Sequence, residues 1–170
     1  VKAQTYEYDA QERVVLCKSL DLVNNTGYKV ILTYDADGNA VVVEKFTGDL
    51  VTQETSFDNK ISKYFFEGEL TVHKEITNLN TSEVTIYDLA YDGKNVSFKN
   101  IPGYSKILLA GASNAQTTQN LVLETEINED SSTRTYSHTY TYNAMNYPLT
   151  SVFKDDSSGE VWETDTFFYE

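Results

Sequence analysis

The chain has 170 residues, of which 13 are Tyr and 8 are Phe, and it carries 26 acidic against 13 basic side chains. This length suits one domain with its own hydrophobic core, so we predict a single domain over residues 1–170. A formal net charge of −13 would repel nucleic-acid phosphates and an anionic membrane surface, and no stripe of Lys and Arg offsets it. Nucleic-acid binding is therefore not predicted, and the acidity is typical of a soluble protein.

Alternation of apolar and polar residues with a period of two predicts β-strands along most of the chain, and no window has the spacing of an amphipathic helix. Short connections predict that each strand pairs with the next in an antiparallel meander. About a dozen strands in one sheet must curl, so we predict an all-β fold shaped as a closed or nearly closed barrel. In chain order, the predicted strands are 4–8, 13–20, 28–34, 40–47, 50–57, 61–67, 69–77, 83–91, 95–100, 121–129, 134–142, 147–154 and 160–169.

A loose repeat marks the predicted turns. In each copy an aromatic residue ends one strand, Asp or Asn opens the turn, and an aliphatic or β-branched residue begins the return strand. Asx side chains accept hydrogen bonds from turn amides, and Gly or Asn tolerates positive φ, so this repeat indicates hairpins and not a catalytic motif. Copies occur at Tyr8-Asp9, Tyr34-Asp35, Tyr91-Asp92 and Tyr142-Asn143, with a degenerate one at Ser56–Ile61.

The segment Ile101–Asn120 breaks this rhythm, because it is long and contains a Pro-Gly pair followed by a short apolar run. Long loops in a compact meander are often functional. One interpretation is that the segment covers or plugs one end of the barrel and borders the only plausible pocket, where Tyr104, Ile107 and Leu109 would contact a ligand. The other interpretation is that residues 106–110 form one more core strand followed by a loop tip.

No catalytic or metal site follows from the residue types that usually build one. His73 and His138 lie within alternating strands, no Gly-x-Ser-x-Gly turn accompanies them, and with one cysteine they make a poor zinc set. Cys17 is predicted to be a packed strand residue without an internal disulfide partner. Asp35–Asn39 resembles a calcium loop in composition, but we predict a hairpin turn there. We predict no enzyme activity and no cofactor, while a hydrolase carboxylate pair stays open because many carboxylates are present.

Aromatic residues near the turns are the remaining signal for binding. Facing the interior they could stack on a glycan or enclose a small apolar ligand, although core packing is their ordinary role. An integral outer-membrane barrel is the alternative, and it requires apolar residues at every second position of each strand. Residues 134–142 and 161–169 lack that pattern, so the soluble form is predicted.

The Tyr-x-Tyr turns followed by Asp or Asn, the Tyr147-Pro148 pair and the closing aromatic strand resemble a family of uncharacterised gut Bacteroidetes proteins, usually predicted lipoproteins, with a porin-like fold. The resemblance is clearest over Tyr136–Glu170, and the turns also look like fragments of longer YD-repeat shells. It implies a barrel-shaped, exported protein of the periplasm or outer-membrane surface, held to the membrane only through an upstream lipid anchor.

The sequence begins at Val1 and not at Met, which leaves room for an upstream export signal. The family supplies no catalytic residues. The sequence therefore predicts a non-enzymatic binding or scaffold protein of the cell envelope, and leaves its ligand and oligomeric state open.

Overall fold

The computed structural model describes residues 2–97 and 119–169. Eleven strands form one antiparallel sheet in which every strand pairs with its neighbours in sequence, so the predicted all-β meander is confirmed. No helix able to cross a lipid bilayer is found within these two ranges. The strands are β1 Lys2–Tyr8, β2 Val14–Asp21, β3 Thr26–Tyr34, β4 Ala40–Gly48, β5 Gln53–Glu67, β6 Leu70–Asn78, β7 Val84–Tyr91, β8 Leu121–Ile127, β9 Thr133–Tyr142, β10 Pro148–Asp155 and β11 Val161–Thr166.

In the described ranges the sheet is not closed, so of the predicted closed or nearly closed barrel the closed form is wrong. In the described ranges β1 pairs only with β2 and β11 only with β10, so these two strands are the edges of the sheet. Acidic side chains lie on both edges, Glu7 on β1 and Glu163 and Asp165 on β11. Charged side chains on edge strands oppose edge-to-edge pairing, and like charges on the two edges repel each other.

The open sheet nevertheless curls strongly around one of its faces. Tyr64 of β5 and Asp165 of β11 line the same cavity, although six strand spacings of about 4.8 Å would separate them by roughly 29 Å in a flat sheet. We call the face that carries these two residues the inner face, and the opposite one the outer face. The curl predicted from the number of strands is therefore present without closure.

The predicted separate strands 50–57 and 61–67 are wrong, because β5 runs through both of them. β4 pairs with both halves of β5, and the extra residues between Ser56 and Ile61 form a bulge. Asn59 adopts a φ of 53° there, and its amide donates to the Ser56 hydroxyl over 3.0 Å. The turn chemistry was identified correctly, but it bends a strand and does not reverse one.

Residues 95–97 of the predicted strand 95–100 are not in a strand, and 98–100 lie outside the described ranges. The Asn95 amide donates to the carbonyl of Asn146 over 3.1 Å, and the Asn95 side-chain amide donates to the carbonyl of Met145 over 2.9 Å. Its hydrogen bonds thus reach the turn between β9 and β10, which explains why no strand ladder forms.

The hairpin interpretation of the repeat is confirmed at most copies. The Asp9 carboxylate accepts from the amides of Gln11 and Arg13, both over 2.9 Å, and the side chain of Asn143 caps its turn in the same way. Gly38 takes a φ of 74° in the turn from β3 to β4, so the calcium-like loop is a hairpin turn, as predicted. Local hydrogen bonding therefore accounts for these motifs.

The core lies on the inner face of β2 to β5. Register places Leu32 opposite Val43 and Val41 opposite Tyr64, so apolar side chains meet across neighbouring strands. Burial raises the pKa of the Cys17 thiol, which agrees with a packed side chain and not with a nucleophile. The buried side chains of this core are here called the apolar cluster: Val14, Cys17, Val30, Leu32, Val41, Val43 and Tyr64.

Candidate ligand-binding cavity

The inner face between β5 and β11 borders a cavity of about 370 Å³. This volume lies within the range of about 300–1,000 Å³ that small-molecule sites occupy. Side chains from β5 to β11 contribute to its wall. Aromatic rings and charged groups dominate it: Tyr64, Tyr91, His138, Tyr140, Phe153 and Phe167 among the rings, and Lys74, Glu124, Glu163 and Asp165 among the charges.

The register of the last three strands builds one wall of the cavity. Alternation along β9 directs His138 and Tyr140 to the inner face, and β10 places Phe153 opposite His138 and Ser151 opposite Tyr140. β11 continues the row, with Asp165 opposite Ser151. A single register therefore aligns the aromatic pair His138–Phe153 and the pair Tyr140–Ser151 with the acidic edge of the sheet.

Stacked rings form the centre of this wall. The rings of His138 and Phe153 lie 4.4 Å apart with an interplanar angle of 14°, and His138 also stacks on Tyr140 at 6.3 Å. Burial lowers the pKa of His138, with Asp165 opposing that shift. The imidazole is therefore neutral at neutral pH, and the wall offers flat, weakly polar surfaces to a ligand.

Two polar side chains of β6 lie at the opposite wall with unmet hydrogen-bonding capacity. Thr71 is 1% exposed, and its hydroxyl has no hydrogen-bond partner in the described ranges. Lys74 is 8% exposed and places its ammonium 4.0 Å above the ring of Tyr87. Burial lowers the pKa of Lys74, while the carboxylate of Glu124 works in the opposite direction. Both residues line the cavity.

Carboxylates complete the lining. Burial raises the pKa of Glu124, and the nearby Lys74 partly offsets that effect. Asp165 accepts a hydrogen bond from the Ser151 hydroxyl over 2.8 Å, whereas Glu163 lies on the exposed rim. No three His, Cys, Asp or Glu side chains of residues 2–97 and 119–169 converge as a potential metal site. The carboxylates are therefore best suited to accept hydrogen bonds or to pair with a cation.

Tyrosine hydroxyls fix the shape of the cavity. The Tyr91 hydroxyl donates to the carbonyl of Thr71 over 2.6 Å, and that of Tyr140 donates to the carbonyl of Leu121 over 3.1 Å. Burial raises the pKa of Tyr140 to about 12, so it stays a donor. The Tyr142 hydroxyl donates to the carboxylate of Asp92. These bonds tie β6 to β7 and β8 to β9 around the site.

The site residues predicted from the sequence, Tyr104, Ile107 and Leu109, lie outside the described residues, as does the rest of 101–118. Gln119 and Asn120, the two described residues of the Ile101–Asn120 segment, line the cavity. The role predicted for the segment as a cover or plug stays a prediction.

Sequence reasoning missed the two β6 residues of the cavity. Lys74 lies two residues before Ile76 and therefore on the same, inner face of β6. A lysine in line with inward apolar residues was the sequence signal that could have identified this site. Residues 161–169, which include Glu163 and Asp165, were used only as evidence against a membrane-facing band. Their proximity to β6 depends on how strongly the sheet curls, and the number of strands predicts that it curls but not how far.

Comparison with known proteins gives a structural likeness only. No protein-family model and no curated protein matches the chain. A porin-like protein from Bacteroides vulgatus ATCC 8482, solved by crystallography at 2.80 Å, superposes with a TM-score of 0.60 at 11% sequence identity. The alignment covers 98% of this chain and 77% of that one. At this identity the likeness supports a porin-like fold.

Proposed function

We propose that this protein is a non-enzymatic binding module of the bacterial cell envelope that takes a glycan or another small polar ligand on its inner face. The observation that carries the proposal is the cavity of about 370 Å³ in which stacked rings alternate with carboxylates. Flat rings such as Phe153 and Tyr140 suit stacking on a sugar or a similar compact ligand. Carboxylates beside them suit hydroxyl or amine donors.

Binding is favoured over catalysis by the state of the candidate nucleophiles and bases. His138 has ring contacts, but within the described ranges it forms no hydrogen bond to a hydroxyl, thiol or carboxylate that would make it a general base. Cys17 is buried in the apolar cluster, away from the cavity. A nucleophile and its base need to lie within hydrogen-bonding reach of each other.

A hydrolase remains the second candidate function, because one specific observation favours it. Burial raises the pKa of Glu124, and Glu163 and Asp165 line the same cavity. A carboxyl group with a raised pKa beside an ionised one is the usual acid and base arrangement of glycoside hydrolysis. Product analysis during the binding experiment below decides between the two functions.

An envelope location is supported by the porin-like neighbour and by the family resemblance of the turns. The outer face favours contact with water over contact with lipid. On β4 to β6, Lys63 lies on this outer face between Val42 and Glu75. On β9 to β11, the outer face carries a row formed by Thr139, Val152 and Thr164. Charges at the middle of a lipid-facing strand are costly, so attachment through an upstream lipid anchor is the form we propose.

The test is a binding screen in detergent-free buffer by calorimetry, with neutral oligosaccharides, uronic acids, amino sugars, amino acids and dipeptides as probes. We expect at least one class to bind, and Phe153→Ala to weaken that binding about tenfold by removing a stacking surface. Phe46→Ala is the matched control, because Phe46 lies under Lys29 on the outer face. A panel without any binder, equal affinity in Phe153→Ala, or a requirement for detergent would contradict the proposal.

A further inference from the structure

Among the described residues, two buried donors of the β6 wall, Thr71 and Lys74, have no hydrogen-bond acceptor. The Thr71 hydroxyl has no hydrogen-bond partner in the described part of the chain although the residue is almost fully buried. The Lys74 ammonium, three residues along the same strand, lies over the Tyr87 ring. The carboxylates of Glu124 and Glu126 act on it electrostatically, but among the described residues no carboxylate oxygen lies within 4.0 Å of it. Buried donors are ordinarily paired, so both point to a ligand oxygen that accepts from them.

Within residues 2–97 and 119–169, the two carboxylates of the β11 wall have no ion-pair partner. Glu163 and Asp165 alternate onto the same inner face, about 6.6 Å apart along the strand and both on the cavity. In the described ranges neither forms an ion pair, and Asp165 receives only the Ser151 hydroxyl. The neighbouring imidazole of His138 is neutral, since burial lowers its pKa, and supplies no counter-charge. A positively charged ligand group fits this wall.

We infer, as a refinement that rests on the proposed function, that the ligand is a small zwitterion whose carboxylate binds Lys74 and Thr71 and whose ammonium or guanidinium group lies against Glu163 and Asp165. The stacked rings of His138, Tyr140 and Phe153 pack on the part of the ligand between its charges. Amino acids, short peptides and sugars that carry both an amine and a carboxylate belong to this class.

Simpler ligands satisfy only one wall. A plain anion satisfies Lys74, but it leaves Glu163 and Asp165 without a counter-charge. A plain cation pairs with Asp165 and leaves Lys74 and Thr71 unsatisfied. A neutral sugar supplies acceptors and donors and leaves the two β11 carboxylates without a counter-charge. Complementary charge at both ends is what gives a buried polar site its selectivity.

The experiment measures the affinity of glycylglycine and aminocaproate against caproate and hexylamine, which each carry one of the two charges. We expect the zwitterions to bind at least about tenfold more tightly than either single-charge probe, as one charge-assisted hydrogen bond implies. Lys74→Gln should weaken the zwitterions about tenfold and leave hexylamine unchanged. Asp165→Asn should weaken the zwitterions and hexylamine and should not weaken caproate.

Matched variants keep the test independent of folding. Lys63→Gln removes a lysine from the outer face, where it lies over Phe65, and should change no affinity. Lys74→Met retains the buried volume and replaces Lys74→Gln if that variant does not fold. Equal affinity for the zwitterions and the single-charge probes would overturn the zwitterion inference, and so would undiminished zwitterion affinity in the Lys74 variant. In either case the proposed binding function would stand. Absence of binding for every probe and every sugar overturns both.

Discussion

The two halves of the inner face differ in chemistry although they belong to one sheet with one alternation. From β2 to β4 the buried inward positions carry mainly branched aliphatic side chains, such as Leu32 opposite Val43. From β6 to β11 they carry charged and aromatic side chains, such as Glu124 opposite Tyr136. Branched side chains fill their half and make it a core, whereas the longer polar ones leave the cavity open.

The polar half itself contains both satisfied and unsatisfied groups. Asp155 is fully buried and accepts from the Arg134 guanidinium and from the Ser157 hydroxyl. These partners hold the pKa of Asp155 far below its ordinary value. Thr71 is almost equally buried and has no such partner in the described ranges. The buried carboxylate of Asp155 therefore serves the fold, whereas, within the described ranges, the buried hydroxyl of Thr71 is free to hydrogen-bond to a ligand.

The largest effect is expected in the apolar half. Leu32→Ala removes a side chain that is 2% exposed and should lower the free energy of unfolding by about 2–5 kcal/mol. Urea denaturation measures the change, and Val42→Ala on the outer face should cost less. A loss below that of Val42→Ala would show that the apolar cluster is not the core.

A smaller change of opposite sign is expected at the polar wall. Thr71→Val replaces the unpartnered hydroxyl with a methyl group and should raise the free energy of unfolding of the ligand-free protein by about 1 kcal/mol. Urea denaturation measures this change as well. Thr139→Val, at an exposed outer-face position, should stay within about 0.5 kcal/mol of the wild type. Destabilisation by Thr71→Val would mean that the hydroxyl has a stabilising partner.

The smallest effect concerns pH. The pKa of His138 is below its ordinary value of 6.5 in the folded protein, so on acidification the unfolded chain takes up a proton before the folded one does. The stability contributed by the neutral imidazole is present above about pH 6.5 and is lost as the pH falls below it.

His138→Gln should therefore flatten the fall in melting temperature between about pH 7 and pH 5. His73→Gln serves as the control, because it leaves His138 in place. An unchanged slope in His138→Gln would contradict the assignment of this titration to His138.

Local sequence signals predicted the strands and their turns well. The Asp9 and Asn143 turns rest on hydrogen bonds within a few residues, so the sequence contains all the information they require. The bulge at Asn59 was misread as a hairpin because the same local chemistry serves both, and only pairing with β4 distinguishes them. The closed alternative of the predicted closed or nearly closed barrel was wrong for a similar reason, since closure depends on pairing between two edges that are distant in sequence.

The strand residues that line the cavity could not be predicted, because their proximity depends on how far the sheet curls. Lys74 and Asp165 lie on strands five positions apart in the sheet order, and only the accumulated twist and curl bring them to one cavity. Alternation predicted the sheet face on which each side chain lies. It did not predict which strands of the inner face would come close together. Candidate site residues were sought in the long segment before β8, and the described lining comes mainly from strands.

The connection from Tyr91 to Leu121 has a consequence for the order of folding. Every other pairing joins strands linked by a short turn, so those hairpins form with little loss of chain entropy. Pairing of β7 with β8 must close the long connection first. We expect β1 to β7 to assemble as one cooperative unit and β8 to β11 as a second, with their docking as the slow step. The cavity spans both units, so it forms only when that docking is complete.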